Sequence, residues 1–284
     1  MKLPFNLAKR FVAGEDFVSA APKVSELNEL DIKVTLDLLG ENVRDRKQAD
    51  SNLQHYTDLL DGIHETGLES SISIKLTMLG LDIDNTYCHD NLFRLLDVAR
   101  KQNQFVRIDM EGTDYTQSTI DLFRDAHAEY GSSTVGIVIQ AYLHRSVQDI
   151  PDLAALGADI RLCKGAYSEP AKLALQQMPA IRDAYKKFAA HLLEHTAFPR
   201  MASHDDELIN WVKEYTTEKN IPKDRFEFQM LYGLRLNTCR ELVSEGYRVR
   251  VYVPYGTEWL PYFTRRLRER KENVWFVLST MFKN

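Results

Sequence analysis

The sequence predicts an α/β fold: a closed (β/α)8 barrel of the TIM type with an N-terminal helical extension. Three observations lead there. Short β-branched or alternating apolar runs are separated by longer stretches with a 3.6-residue apolar period, giving eight strand–helix pairs. Such alternation implies parallel strands joined by right-handed crossovers, and eight units in roughly 250 residues is the size of a closed barrel. The rival, an open doubly wound sheet, usually has a glycine fingerprint after its first strand. The corresponding segment here, LDLLGENVRD, has a single glycine.

The first strand is the run Val34 to Leu39, closed by Gly40, with a helical pattern from about Asn42 to Thr66. SISIKLTMLG (Ser71 to Gly80) precedes a helix around Asp90 to Gln102. FVRIDM (Phe105 to Met110) precedes one around Gln117 to Tyr130, and VGIVIQAY (Val135 to Tyr142) one around Ser146 to Leu156. DIRLCKG (Asp159 to Gly165) leads to a long helix ending near His195, and PRMASH (Pro199 to His204) to one from Asp205 to Lys219. RFEFQML (Arg225 to Leu231) leads to a helix ending near Gly246. YRVRVYVPYG (Tyr247 to Gly256) leads to the last, from Glu258 to about Lys271. No Ser/Gly/Pro-rich linker divides the chain. Residues 1–30 read as the helical extension and 31–284 as one barrel domain.

Composition bounds the function. With 44% hydrophobic residues and only 13 Gly and 9 Pro in 284, the chain is built to close a core rather than stay disordered. A net charge of −5 argues against general nucleic-acid binding. No apolar run is long enough to span a bilayer, and Lys2, Lys9 and Arg10 interrupt the apolar stretch a signal peptide would need. Cys88, Cys163 and Cys239 are scattered singly, which suits a reducing, cytoplasmic setting and suggests neither disulfides nor a metal site.

Barrel enzymes carry their chemistry at the C-terminal ends of the strands. Polar residues gather there: Lys75 on strand two; Asp109, Met110 and Glu111 on three; Gln140 on four; Arg161 and Lys164 on five; Ser203 and His204 on six; Glu227 and Gln229 on seven; Tyr252 and Tyr255 on eight. Strand parity sharpens the pattern. Ile72, Ile74 and Leu76 oppose Ser71, Ser73 and Lys75; Val106, Ile108 and Met110 oppose Arg107, Asp109 and Glu111; Val249, Val251 and Val253 oppose Arg248, Arg250 and Tyr252. The apolar set should face the helices and the polar set the interior, where charge is costly unless paired or met by a ligand. For any one residue, a salt-bridge network closing the mouth explains the pattern as well as a ligand site does. For the whole set, a ligand site is the better explanation. In the last helix Tyr262, Arg265, Arg266 and Glu269 form a stripe, and adjacent arginines suit a carboxylate. Glu41, after strand one, is placed to pair with Arg265 as a gate.

SIKLTMLG, RIDMEG, VIQAYL, RLCKGAY, MASHD, FEFQMLYG and RVYVPYGTEWLPYFTRRLRER resemble, in order and spacing, the motif series of the proline dehydrogenase family in its stand-alone bacterial form. The similarity runs from about Val34 to Asn273. It implies FAD-dependent oxidation of L-proline to Δ1-pyrroline-5-carboxylate, the first step of proline catabolism to glutamate. Hydride would pass to flavin N5 and electrons to a membrane quinone, by a cytoplasmic protein with room for contact at the membrane's inner face; oligomerisation is left open. By position, the resemblance gives the substrate carboxylate to Lys75, Arg265 and Arg266, the catalytic pair to Asp109 and Arg161 (Arg161 near N5), and the proline pocket to Tyr252 and Tyr262. It gives flavin contacts to Met110, Gln140, Arg161, Lys164, Gly165, Ala166, Ser203 and His204. Two rivals rest on the residues alone: a Schiff-base aldolase using Lys75 or Lys164 at a depressed pKa, and a retaining glycosidase pairing Asp109 with Glu227.

Overall fold

The computed structural model describes residues 8–269, and side chains through Thr264. After helix α1 (Phe17–Asn28), strands and helices alternate: β1 (Lys33–Leu38), α2 (Arg46–Thr66), β2 (Ser70–Ile74), α3 (Asn85–Lys101), β3 (Val106–Ile108), α4 (Thr113–Tyr130), β4 (Val135–Gln140), α5 (Ser146–Ala155), β5 (Asp159–Cys163), α6 (Met178–His195), β6 (Arg200–Ala202), α7 (Asp206–Glu218), β7 (Glu227–Leu231), α8 (Leu236–Ser244), β8 (Arg248–Tyr255) and α9 (Trp259–Glu269). The eight strands are parallel and close into a barrel through β1 and β8. No described helix is long and apolar enough to cross a membrane.

Several boundaries move from their expected places, each for a local reason. The Asp45 carboxylate accepts from the Gln48 N–H, so α2 starts at Arg46 rather than Asn42. Asp84 caps α3 in the same way through the Tyr87 N–H, so that helix starts at Asn85, five residues ahead of Asp90. Strand two stops at Ile74, and Leu76–Leu79 coil into a buried 3-10 turn closed by Gly80 at φ +102°. That turn fixes Lys75 at the strand's exit. The segment after β5 stays irregular until Met178, while α6 still ends at His195.

The described part of the N-terminal region, residues 8–30, is less helical than expected. Residues 8–11 form a turn, and helix begins only at Phe17, where Asp16 and Ser19 build a reciprocal capping box. The turn buries Ala8, Phe11 and Val12 against Leu39, Trp259, Tyr262 and Phe263, so it supports α9. Ala13 donates to the Pro254 carbonyl at 2.9 Å and Gly256 to that of Gly14 at 2.9 Å, tying the segment to the end of β8.

Strand parity holds. Val34, Leu36, Ile72, Ile74, Val106, Ile108, Val249, Val251 and Val253 join the core between sheet and helices. The opposite parity fills the barrel with polar groups. Its floor is one chain of charges: Arg107 on Asp159, Arg200 on Asp159 (2.6 Å) and on Glu227 (2.6 Å), and Arg250 on Glu227 (2.8 Å). Gly136 is needed there, because a Cβ would stand 2.4 Å from Arg107 Nη1 and 2.7 Å from the Asp159 carbonyl. A salt-bridge network therefore does close the barrel, but at the end opposite the mouth, since Asp159, Arg200 and Glu227 are the first residues of their strands. Arg248 departs from the expectation: it is exposed beyond this floor and stacks on Phe198.

Burial opposes charge on Glu227, yet Arg200 and Arg250 outweigh it and hold the carboxyl far below its usual range; Arg107 and Arg200 lower Asp159 likewise. Carboxyls depressed on folding stabilise above their unfolded pKa, and that stability is lost as pH falls toward the folded value. Glu227→Gln should therefore lower stability by about 3–5 kcal/mol near neutrality by stranding two arginines. It should also flatten the acid limb of the stability curve below about pH 4, as read by urea titration across pH.

Candidate active site

At the mouth the interior chemistry changes from a continuous chain to two ion pairs. Lys75 Nζ lies 2.8 Å from Asp37 Oδ1, both side chains buried. Arg161, inward on β5, is ion-paired with Asp109, which follows the end of β3. The Tyr252 hydroxyl donates to the other Asp109 oxygen at 2.9 Å, and the Arg161 guanidinium lies 5.2 Å from the Tyr252 ring centre. Ser73 and Gln229 contact Arg161 more loosely, each at 3.4 Å.

Above Lys75 opens a cavity of about 160 Å³, lined among others by Glu41, Lys75, Glu258 and Tyr262. A space of roughly 150 Å³ accepts a six-membered carbon ring, so this one suits a small cyclic molecule, with an ammonium in one wall. Burial alone would discharge Lys75, but Asp37 and then Asp109 outweigh it and raise its pKa above the ordinary lysine value. That is the reverse of what Schiff-base chemistry needs. The glycosidase pairing fails on position: Glu227 belongs to the floor, whereas Asp109 stands at the mouth.

The remaining candidates line the β4–β7 side. Gln140 donates from its amide to the Glu111 carbonyl at 3.0 Å and accepts the Ala166 N–H at 3.1 Å. Lys164 and Arg182 share Asp205 at 3.0 and 2.9 Å. Ser203 Oγ accepts from the Asp205 N–H, and His204 Nε2 from the Leu231 N–H. Met110 is buried beside Asp109. Gly165 is glycine for a reason spacing did not reveal. Its φ is +134°, and a Cβ would meet the Tyr142 ring at 2.3 Å.

The structure thus brings Lys75, Asp109, Arg161 and Tyr252 together and puts Tyr262 and Glu41 on the same cavity as Lys75. Arg265, Arg266 and Glu269 ride on α9, but their side chains, and so the clamp and the Glu41–Arg265 gate, lie outside the described residues. Tyr255 does not share the inward parity of Tyr252; it packs in the outer core. Sequence reasoning missed Asp37 and Asp205. Asp37 had a signal: one carboxylate within Val34–Leu39, out of step with Val34 and Leu36, just as the inward polar residues of strands two, three and eight are out of step with their apolar neighbours.

Fold and site together define a class: a (β/α)8-barrel enzyme whose mouth holds buried ion pairs beside a small cavity. A family model described as proline dehydrogenase matches residues 20–279. The chain belongs to the proline dehydrogenase family. It is 40% identical over 276 residues to proline dehydrogenase 2 of Bacillus subtilis, covering 97% of this chain and 90% of that one. It is 37% identical over 282 residues to proline dehydrogenase of Deinococcus radiodurans, covering 98% and 91%. Among solved structures, proline utilization A (PutA) from Bdellovibrio bacteriovorus, inactivated by N-propargylglycine, superposes with a TM-score of 0.87 at 26% identity. The match spans 93% of this chain and 32% of that one.

Gly165→Ala should be destabilising by about 1–3 kcal/mol through backbone strain. Adding Tyr142→Ala should recover only part of the loss, because space returns but the positive φ does not; thermal melts of the single and double variants check this.

Proposed function

We propose that this chain oxidises L-proline to Δ1-pyrroline-5-carboxylate using bound FAD, with a quinone as the final electron acceptor. In the balanced half-reaction the ring carbon next to nitrogen gives up a hydride, the nitrogen gives up a proton, and a C=N bond forms. The observation that carries the reading is the Arg161–Asp109–Tyr252 cluster at the mouth, next to a cavity with the Lys75 ammonium in its wall.

The donor set suits a flavin nucleotide. Gln140, the Ala166 N–H, Ser203 and His204 offer amide, hydroxyl and imidazole partners at one rim, and Lys164 a cation for phosphate. Ala166 is exposed, and Lys164, Gly165, Ser203 and His204 are half-buried, so these groups are within a ligand's reach. Bound FAD would supply the two-electron acceptor. Arg161 holds a permanent cation where negative charge develops, which is the preorganised electrostatic role. Asp109 and Tyr252 keep that guanidinium in place. Lys75, with Arg265 and Arg266 from α9, would take the substrate carboxylate, and Tyr262 would wall the ring. Glu41, on the cavity rim, would gate entry through Arg265. We read residues 31–284 as one catalytic domain behind a 1–30 extension, in a cytoplasmic protein that meets quinone at the membrane's inner face.

The purified protein should be yellow, lose its flavin absorption when L-proline is added without oxygen, and regain it with a soluble quinone. A colourless preparation that takes up no FAD, or flavin bands indifferent to proline, would overturn the reading. Arg265→Ala and Arg266→Ala should each raise the proline KM about 10–100-fold with flavin retained, the scale of one hydrogen bond to a charged group; steady-state kinetics on flavin-matched samples decide it.

A further inference from the structure

We infer that Asp37 is a positioning residue for substrate binding: seated under Lys75, its carboxylate keeps that ammonium charged and fixed in the cavity wall. The inference deepens the proposed function, since it rests on Lys75 receiving the substrate carboxylate.

The geometry is one-sided. Lys75 lines the cavity and Asp37 does not. Asp37 is 1% exposed, inward on β1, with its Cα paired to Ser73 of β2. Its Oδ1 takes the Lys75 ammonium at 2.8 Å, while Oδ2 has no hydrogen-bond partner among the described residues. The Tyr252 hydroxyl donates to Asp109, while Asp37 also lies within its electrostatic reach. A carboxylate buried with one oxygen unmatched is a poor choice for stability, because an apolar or hydroxyl side chain avoids the desolvation. The floor network does not use Asp37, and Asp109 is already matched by Arg161 and Tyr252. The carboxylate is therefore accounted for by what it does to Lys75.

The groups facing Lys75 come from every side. Asp37 on β1, Asp109 just after β3 and Tyr56 on α2 favour its protonated form against burial, Glu111 lies within electrostatic reach, and Glu41 and Glu258 share its cavity. Of these, Asp37 is the one within ion-pair distance of the ammonium among the described residues. Without it, burial is opposed only by the more distant Asp109 and Tyr56, so Lys75 gives up its proton at lower pH, and a neutral amine cannot hold a carboxylate.

The probe is cyclopentanecarboxylate, a five-membered ring acid with no nitrogen, whose own charge is constant between about pH 6 and 9. Its Kd is measured by calorimetry on the protein as purified. Wild type should show a flat profile. Asp37→Asn should weaken binding progressively, approaching about tenfold per pH unit above the lowered Lys75 pKa. Asp37→Asn with Lys75→Arg should be flat again, because a guanidinium stays charged. Asp37→Ser, small enough for the site, gives the same test if the asparagine variant does not fold. A profile for Asp37→Asn or Asp37→Ser that is flat, or weakened equally at every pH as a merely structural role would give, overturns the inference. Lys75→Met separates the two levels. If it leaves Kd unchanged, the reading of Lys75 as the carboxylate site fails; if it removes binding while the Asp37 variants stay flat, only the role of Asp37 fails.

Discussion

Everything in this barrel follows from putting charge where a (β/α)8 fold ordinarily puts branched apolar side chains. An interior ion is tolerated only when its opposite is within contact, so each charge dictates its neighbours. At the floor this gives a closed chain from Arg107 through Asp159, Arg200 and Glu227 to Arg250. Phe105 and Phe198 flank it, with Arg200 within 5.0 Å of both ring centres. At the mouth it gives two separate pairs, Lys75–Asp37 and Arg161–Asp109. The difference matters. In the floor chain Asp159 and Glu227 are each shared by two arginines, which suits a plug. A pair beside a cavity can exchange or share its partner with an incoming ion, which suits a site.

The outer layers serve that mouth. The 3-10 turn after β2 sets Lys75 at its edge, and Tyr56 of α2 donates to Met78 of the same turn at 3.2 Å. On the far side α9 is not held by the barrel alone. Phe11 tilts against Phe263 at 6.3 Å, and Trp259 meets Phe263 edge-on at 5.8 Å. A turn formed by residues 8–11 thus fixes the helix that carries Tyr262, a role that a helical extension read from the sequence alone does not suggest. Its contribution is hidden because Phe11 and Val12 have no periodic partner nearby; apart from Leu39, the cluster they join comes from α9, some 250 positions away.

Local pattern made most of the architecture legible. Strand parity separated Val34, Ile72 and Val249 from Ser71, Arg107 and Arg250, and the structure keeps that separation. The family motifs located Lys75, Asp109, Arg161 and Tyr252, which do meet. What failed needed three dimensions. Parity says that a residue faces inward but not at what height, so Glu227 and Asp109 looked like neighbours and are not. The floor depends on which strand ends line up around the circle, and register is a property of pairs of strands. Helix starts slipped for a simpler reason: Asp45 and Asp84 were available as caps, but apolar periodicity, not capping, set the boundaries. Asp37 was overlooked because a lone acid in an apolar run reads as an interruption until its lysine is seen.

One buried carboxylate joins the two halves of the mouth. Glu111 accepts from the Thr77 hydroxyl at 2.6 Å and from the Thr77 N–H at 3.2 Å, two residues past Lys75. Its own carbonyl takes the Gln140 amide, whose oxygen holds the Ala166 N–H. The path from the lysine's turn to the glycine-containing loop after β5 therefore runs through the Glu111 side chain, its main chain and the Gln140 side chain. Burial raises the pKa of Glu111 despite the Thr77 bonds, and a protonated acid could still accept from Thr77 at its carbonyl oxygen. Either protonation state keeps the link to Gln140, because that link uses the main chain. The Gln140 side is thus held by the main chain at Glu111, where a change of charge has least effect, and the Lys75 side by the carboxyl group itself.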